Sequence, residues 1–174
     1  MIKPVISPKK VVSIIEKAGG RVVGKTRLQK MVYIMEAAGI DMGYDYVYFH
    51  YGPYSEDLSN HIEIATAMGI VKHTESLTAD GKRKYSIYEI VKKTLDDATE
   101  ADEQNLLLKK MNETDSITLE LAATALYLKK EEGYEDPWEE TSRRKPRKAT
   151  PERLEKAKKF YSELKDINSR LPEL

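Results

Sequence analysis

The sequence has no cysteine, so disulfides, thiolate nucleophiles and every zinc site that needs sulfur ligands are excluded. It has no excess of either charge: 29 lysines and arginines face 29 aspartates and glutamates, and no global field draws the chain toward nucleic acid or membrane. Histidine is scarce. The three present, His50, His61 and His73, never fall at the i, i+3 or i+4 spacing of a helical ligand pair, so neither metal nor cofactor is expected. Long apolar runs are also missing, because residues 117–128 are interrupted by Thr118, Glu120 and Thr124 and fall well short of the ~20 residues of a membrane span. Residues 1–10 carry two prolines and no apolar stretch, which is not the pattern of a signal peptide. A cytoplasmic protein with no membrane partner is the expectation.

What the chain does have is 174 residues with 40% hydrophobic content, enough for one core and one domain. Ser7-Pro8 offers a cap followed by proline at the first helical position, and Val11, Val12, Ile14, Ile15 and Ala18 give the first helix its apolar face. Gly19-Gly20 ends it. A second helix starts near Gly24-Lys25, with Leu28, Met31, Val32, Met35 and Ala38 at three-and-four spacing and Gly39 as its stop. Residues 44–51 alternate Val47, Phe49 and Tyr51 against Tyr46, Tyr48 and His50, which predicts a strand broken by Gly52-Pro53. Ser55 then caps a third helix running to about Met68, with Leu58, Ile62 and Ala65 on its buried side.

Residues 70–74 and 84–88 read as an antiparallel hairpin turned by Asp80-Gly81. Three short helices followed by a hairpin outline a winged helix-turn-helix over residues 1–90, with an extra strand before the third helix. Residues 91–174 complete the domain with helices: a connecting helix within 91–111, a central helix capped by Ser116 and apolar on several faces, and a last helix opened by Thr150-Pro151. Between these last two, residues 133–149 show no apolar period, two prolines and a basic run, and are expected to form an exposed loop. The fold class is thus mainly α, with a small antiparallel hairpin or three-stranded sheet.

Catalytic patterns are absent. Ser55 with His50 lacks the GxSxG elbow and oxyanion glycines of a hydrolase, and although Gly19 to Gly24 before Lys25-Thr26 has the spacing of a phosphate-binding loop, no buried strand precedes it, so turn and cap duty is the expectation for these glycines. Binding is the better expectation. Two segments carry a family likeness: Gly24-Lys25-Thr26-Arg27-Leu28-Gln29-Lys30-Met31-Val32-Tyr33 and His50-Tyr51-Gly52-Pro53-Tyr54-Ser55. With Leu119-Glu120-Leu121-Ala122-Ala123-Thr124 and Arg144-Lys145-Pro146, they resemble the YwgA-like bacterial and archaeal proteins over most of the chain. The first half is also similar to the Panacea (SocA-like) antitoxin domain, with its leucine-glutamine-lysine-leucine helix and tyrosine-glycine-proline turn, although Met31 stands here where relatives often have leucine. That resemblance implies a helical fold and recognition of a protein partner such as a toxin.

The expected function is therefore a non-catalytic, antitoxin-like or adaptor module that recognises a protein, with a winged-helix DNA-binding regulator as the alternative. Lys25, Arg27 and Lys30 lie off the apolar stripe of the second helix and are expected to face solvent. Beside them, His50, Tyr51, Gly52, Pro53, Tyr54 and Ser55 would present an aromatic patch at the amino end of the third helix, suited to an extended protein segment. Nucleic acid, if touched, would meet Lys82, Arg83 and Lys84 on the wing and Arg143, Arg144, Lys145, Arg147 and Lys148 in the basic run. Only weak binding is expected, because the third helix carries Glu56, Asp57 and Glu63 and no cation. Self-association into a homodimer is left open.

Overall fold

In the computed structural model, which describes residues 7–93 and 103–174, the chain is mainly helical with two small antiparallel sheets. Helix α1 (Lys9–Lys17) starts where expected: Ser7 Oγ accepts from the Lys9 N–H at 3.3 Å, and Val11, Val12, Ile14 and Ile15 are buried. Strand β1 (Arg21–Val23) follows, helix α2 (Lys25–Ala37) comes next, and a tight hairpin joins β2 (Val47–Phe49) to β3 (Gly52–Tyr54). Helix α3 (Glu56–Ala67) is capped by Ser55, whose side chain accepts from the Leu58 N–H.

Strands β4 (Val71–Leu77) and β5 (Lys84–Ile90) pair antiparallel, with Val71 opposite Ile90 and Leu77 opposite Lys84. Asp80-Gly81 makes the turn: the Asp80 carboxylate accepts from the Lys82 N–H, and Gly81 takes the positive φ that the turn needs. The sheet has a third strand, though not the aromatic one. It is β1, antiparallel to β5 with Val22 opposite Tyr88, in the order β1-β5-β4.

Helices α4 (Glu103–Glu113), α5 (Ser116–Lys130), α6 (Pro137–Arg144) and α7 (Pro151–Ile167) complete the chain. The acidic start of the expected connecting helix, within 94–102, lies outside the described residues. The central helix begins one residue earlier than Ser116 suggested, since Asp115 accepts from the Thr118 N–H and hydroxyl. Residues 118–128 are buried without a break, and α5 touches α2, α6, α7 and β3. It is the spine of the core.

Residues 133–149 are not an exposed loop. Asp136 caps α6, Pro137 sits in its first turn, and Trp138, Thr141, Lys145 and Ala149 are buried. The aromatic ring of Trp138 packs edge-on to Tyr161 of α7. One tryptophan replaces the apolar stripe that the sequence lacks here. No helix among the described residues is long and apolar enough to cross a membrane.

Candidate functional site

The two segments that carry the family likeness meet in space as one locked unit. Gln29 reads the Ser55 backbone from both sides, donating Nε2 to its carbonyl and accepting its N–H, each at 2.8 Å. The Lys30 ammonium donates to the Pro53 carbonyl at 2.6 Å. Both side chains are buried, because β3 and α5 cover the face of α2 that carries them. Lys30 is therefore not on the surface, and a polar side chain off the apolar stripe finds its partners in a strand more than twenty residues away.

Arg27 is also committed to structure. Its guanidinium donates to the carbonyls of Met111, Asn112 and Thr114, closing the carboxyl end of α4. Lys25 stays exposed. Gly52 and Pro53 are buried in β3 rather than breaking the strand, and the bend falls at His50-Tyr51. The amino end of α3 is occupied by the Ser55 cap, so it offers less to an outside carbonyl than the sequence suggested.

Along the hairpin, Tyr44, Tyr46 and Tyr48 point inward while Val47, Phe49 and Tyr51 are 59%, 50% and 53% exposed. This ridge divides two clefts. The smaller, about 210 Å³, is lined by Lys25, Thr26, Gln29, Lys30, Phe49, Tyr51, Gly52 and Tyr54, and so gathers five of the nine expected partner-binding residues. The larger, about 800 Å³, lies between residues 48–51 and residues 144–148, with Glu120 of α5 also in its lining.

At the larger cleft Glu120 holds two amines, from Lys145 and from Lys148, each at 2.8 Å. Glu120 and Lys145 are buried, whereas Lys148 reaches the surface and lies 4.8 Å over the Tyr51 ring. Arg144 sits over Tyr48 and is paired with Glu132 and Glu140. Arg143 pairs outward with Glu139, and Arg147 is exposed. The basic run is thus a built wall with differing roles for each cation.

No family model matches the sequence. The chain is similar to YwgA. That protein, an uncharacterised one from Bacillus subtilis (strain 168), is 29% identical over 150 residues, 85% of this chain and 90% of its own. Similarity to YwgA over this span supports the YwgA-like resemblance carried by Gly24 to Tyr33 and His50 to Ser55.

The remaining expected contacts are scattered. Lys82, Arg83 and Lys84 are exposed around the tip of the β4–β5 hairpin, and α3 bears no lysine or arginine. His50 is exposed in the turn after β2; His61 shares a hydrogen bond with the Tyr44 hydroxyl; His73 stacks on Tyr88.

Burial pushes the Lys30 ammonium down to about 7, with Glu120 opposing and Lys145 and Lys148 reinforcing the shift. The unfolded chain keeps this amine protonated to ~10.4, so from pH 7 to 10 the native state binds fewer protons. The stability linked to Lys30 is therefore present above the unfolded value and lost as pH falls toward 7. Urea unfolding of the wild type should gain about 1–2 kcal/mol between pH 7 and pH 9 relative to Lys30→Met. Burial raises the tyrosine hydroxyls of Tyr33, Tyr44 and Tyr46, whose opposite effect begins only near pH 10. Equal gains in both proteins would show that Lys30 is charged in the fold.

Proposed function

We propose that the protein is a non-catalytic recognition module whose partner is an extended protein segment laid along the β2–β3 hairpin. The observation that supports this reading is the ridge of Val47, Phe49 and Tyr51, three large side chains left half or more exposed on β2 and the turn after it, whose partner strand β3 is held from behind by Gln29 and Lys30. A rigid scaffold presenting aromatic rings fits a binding hot spot, because little side-chain freedom is lost on docking. Tyr54, Thr26 and Lys25 in the smaller cleft would supply the polar rim. The antitoxin-like form of this reading, with a toxin as the partner, rests on the likeness to the Panacea domain alone.

A winged-helix regulator is the second reading. The order α1, β1, α2, β2, β3, α3, β4, β5 resembles that outline once the β2–β3 hairpin between α2 and α3 is set aside, and the tip of the β4–β5 hairpin exposes Lys82, Arg83 and Lys84. Against it, α3 would bring Glu56, Asp57 and Glu63 toward phosphates. The two readings separate in one experiment. Phe49→Ala with Tyr51→Ala should lose about 2 kcal/mol or more in binding to a partner purified with the wild type, at unchanged melting temperature, while neutralising the three wing cations leaves that binding intact. Sequence-selective duplex binding that the wing substitutions abolish and the hairpin substitutions spare would refute the first reading.

A further inference from the structure

The larger cleft shares Phe49 and Tyr51 with the hairpin ridge and adds features that the ridge does not use. Its floor contains a buried ion pair, Glu120 with Lys145, each side chain 6% exposed. Such a pair rarely adds stability over an apolar pair of the same volume, since desolvating two charges costs about as much as their attraction returns. Its effect here is positional. Glu120 fixes the Lys145 and Lys148 amines at the wall of an open cleft, so that their charge is already oriented before anything arrives.

The charges present select the size of the ligand. Glu120 neutralises one of its two lysines, and Arg144 is neutralised by Glu132 and Glu140. What remains facing the cleft is the charge of one lysine and that of Arg147, which has no ionic partner among the described residues. Two uncompensated cations suit a ligand with one or two negative charges, and are too few to hold a polyanion. An arginine fork accepts a carboxylate or a phosphate equally, but the fixed amine on the same wall offers a further donor, which the third oxygen of a phosphate can use and a carboxylate cannot.

The rest of the lining is aromatic: Tyr48, Phe49, His50 and Tyr51 form the opposite wall. Lys148 covers the ring of Tyr51 and Arg144 that of Tyr48, while His50 and Phe49, packed on each other at 4.4 Å between ring centres, are exposed and offer their outer sides to a flat ring. At about 800 Å³ the cleft lies in the range, roughly 300–1,000 Å³, of sites for small molecules. We infer that this cleft binds a small phosphate monoester with a flat aromatic body, of the nucleoside monophosphate class, with Arg147 and Lys148 on the phosphate and His50 and Phe49 against the ring.

Isothermal titration with AMP, GMP, CMP and UMP tests this, alongside inorganic phosphate, adenosine and a twelve-residue single-stranded oligothymidylate. At least one monophosphate should bind ten-fold or more tighter than inorganic phosphate or adenosine. Arg147→Ala should weaken it about ten-fold and Arg147→Glu should abolish it, with melting temperatures unchanged because Arg147 is exposed and has no ionic partner among the described residues. His50→Ala should weaken it without changing the affinity for inorganic phosphate. The inference fails if no monophosphate outdoes inorganic phosphate, or if the Arg147 variants bind as the wild type does. It fails equally if the oligothymidylate binds more tightly than every monophosphate, which would assign the cleft to single strands. None of these results depends on the hairpin ridge having a protein partner.

Discussion

Glu120→Ala is expected to destabilise the protein by about 3–5 kcal/mol, the usual cost of leaving a buried charge without its counterion. The residue stranded is Lys145, whose amine is buried and whose only ionic partner among the described residues is Glu120. Lys148 loses the same carboxylate, yet it can turn to solvent. The reverse substitution should be milder. Lys145→Met keeps Glu120 neutralised by Lys148 at 2.8 Å and restores apolar volume, so a cost under half that of Glu120→Ala is expected from urea unfolding of the two variants. Glu120→Ala costing less than about 1 kcal/mol would mean that water reaches the floor of the cleft and screens Lys145.

Gly52→Ala should be comparably severe, at roughly 2–5 kcal/mol, from two separable causes. Gly52 has φ +98, which side chains rarely adopt, and a Cβ there would stand 2.6 Å from the Thr124 hydroxyl of α5. Thr124 is fully buried in the spine helix, so its hydroxyl can give way only by turning within the packed core. Combining Gly52→Ala with Thr124→Ala removes the collision and leaves the backbone strain, so the double variant should recover part of the loss, and the cycle measures the steric share. No recovery would place the whole cost in the backbone. Since β3 carries the carbonyl that Lys30 holds, an intact fold with a displaced hairpin should appear as altered tyrosine fluorescence.

How far these features were legible in the sequence depended on how local their causes are. The caps at Ser55 and Thr150, the Asp80-Gly81 turn and the face of α1 are set within a few residues, and each stands where the sequence places it. Strand β1 escaped notice because three residues show no periodicity and its partner, β5, lies more than sixty residues on. Helix α6 was hidden by composition. Asp136-Pro137 is the same kind of start as Thr150-Pro151, but the basic run after it reads as solvated until the remote Glu120 is brought beneath it.

The same reason governs the site. Tyr51, Tyr54 and Lys25 line the smaller cleft, while Lys30 and Arg27 donate inward to carbonyls of β3 and of the carboxyl end of α4. Charge on a helix face marks solvent only when no distant backbone acceptor claims it. Glu120 and Lys145 show the converse, a pair that neither local pattern announces.

The burial of α2 on several sides has a consequence for the order in which the chain acquires its structure. Residues 28–35 are covered by elements on both sides, and among them α5 does not exist until residue 116 and beyond have been made. The end of α2 waits longer still, since the Ala38 carbonyl is met by Asn168, 130 residues later, and Arg170 packs over Gly39. During synthesis the first hundred residues therefore hold a helix whose apolar sides are open, and a hairpin with no Thr124 to lean on. α2 is made early and finished last.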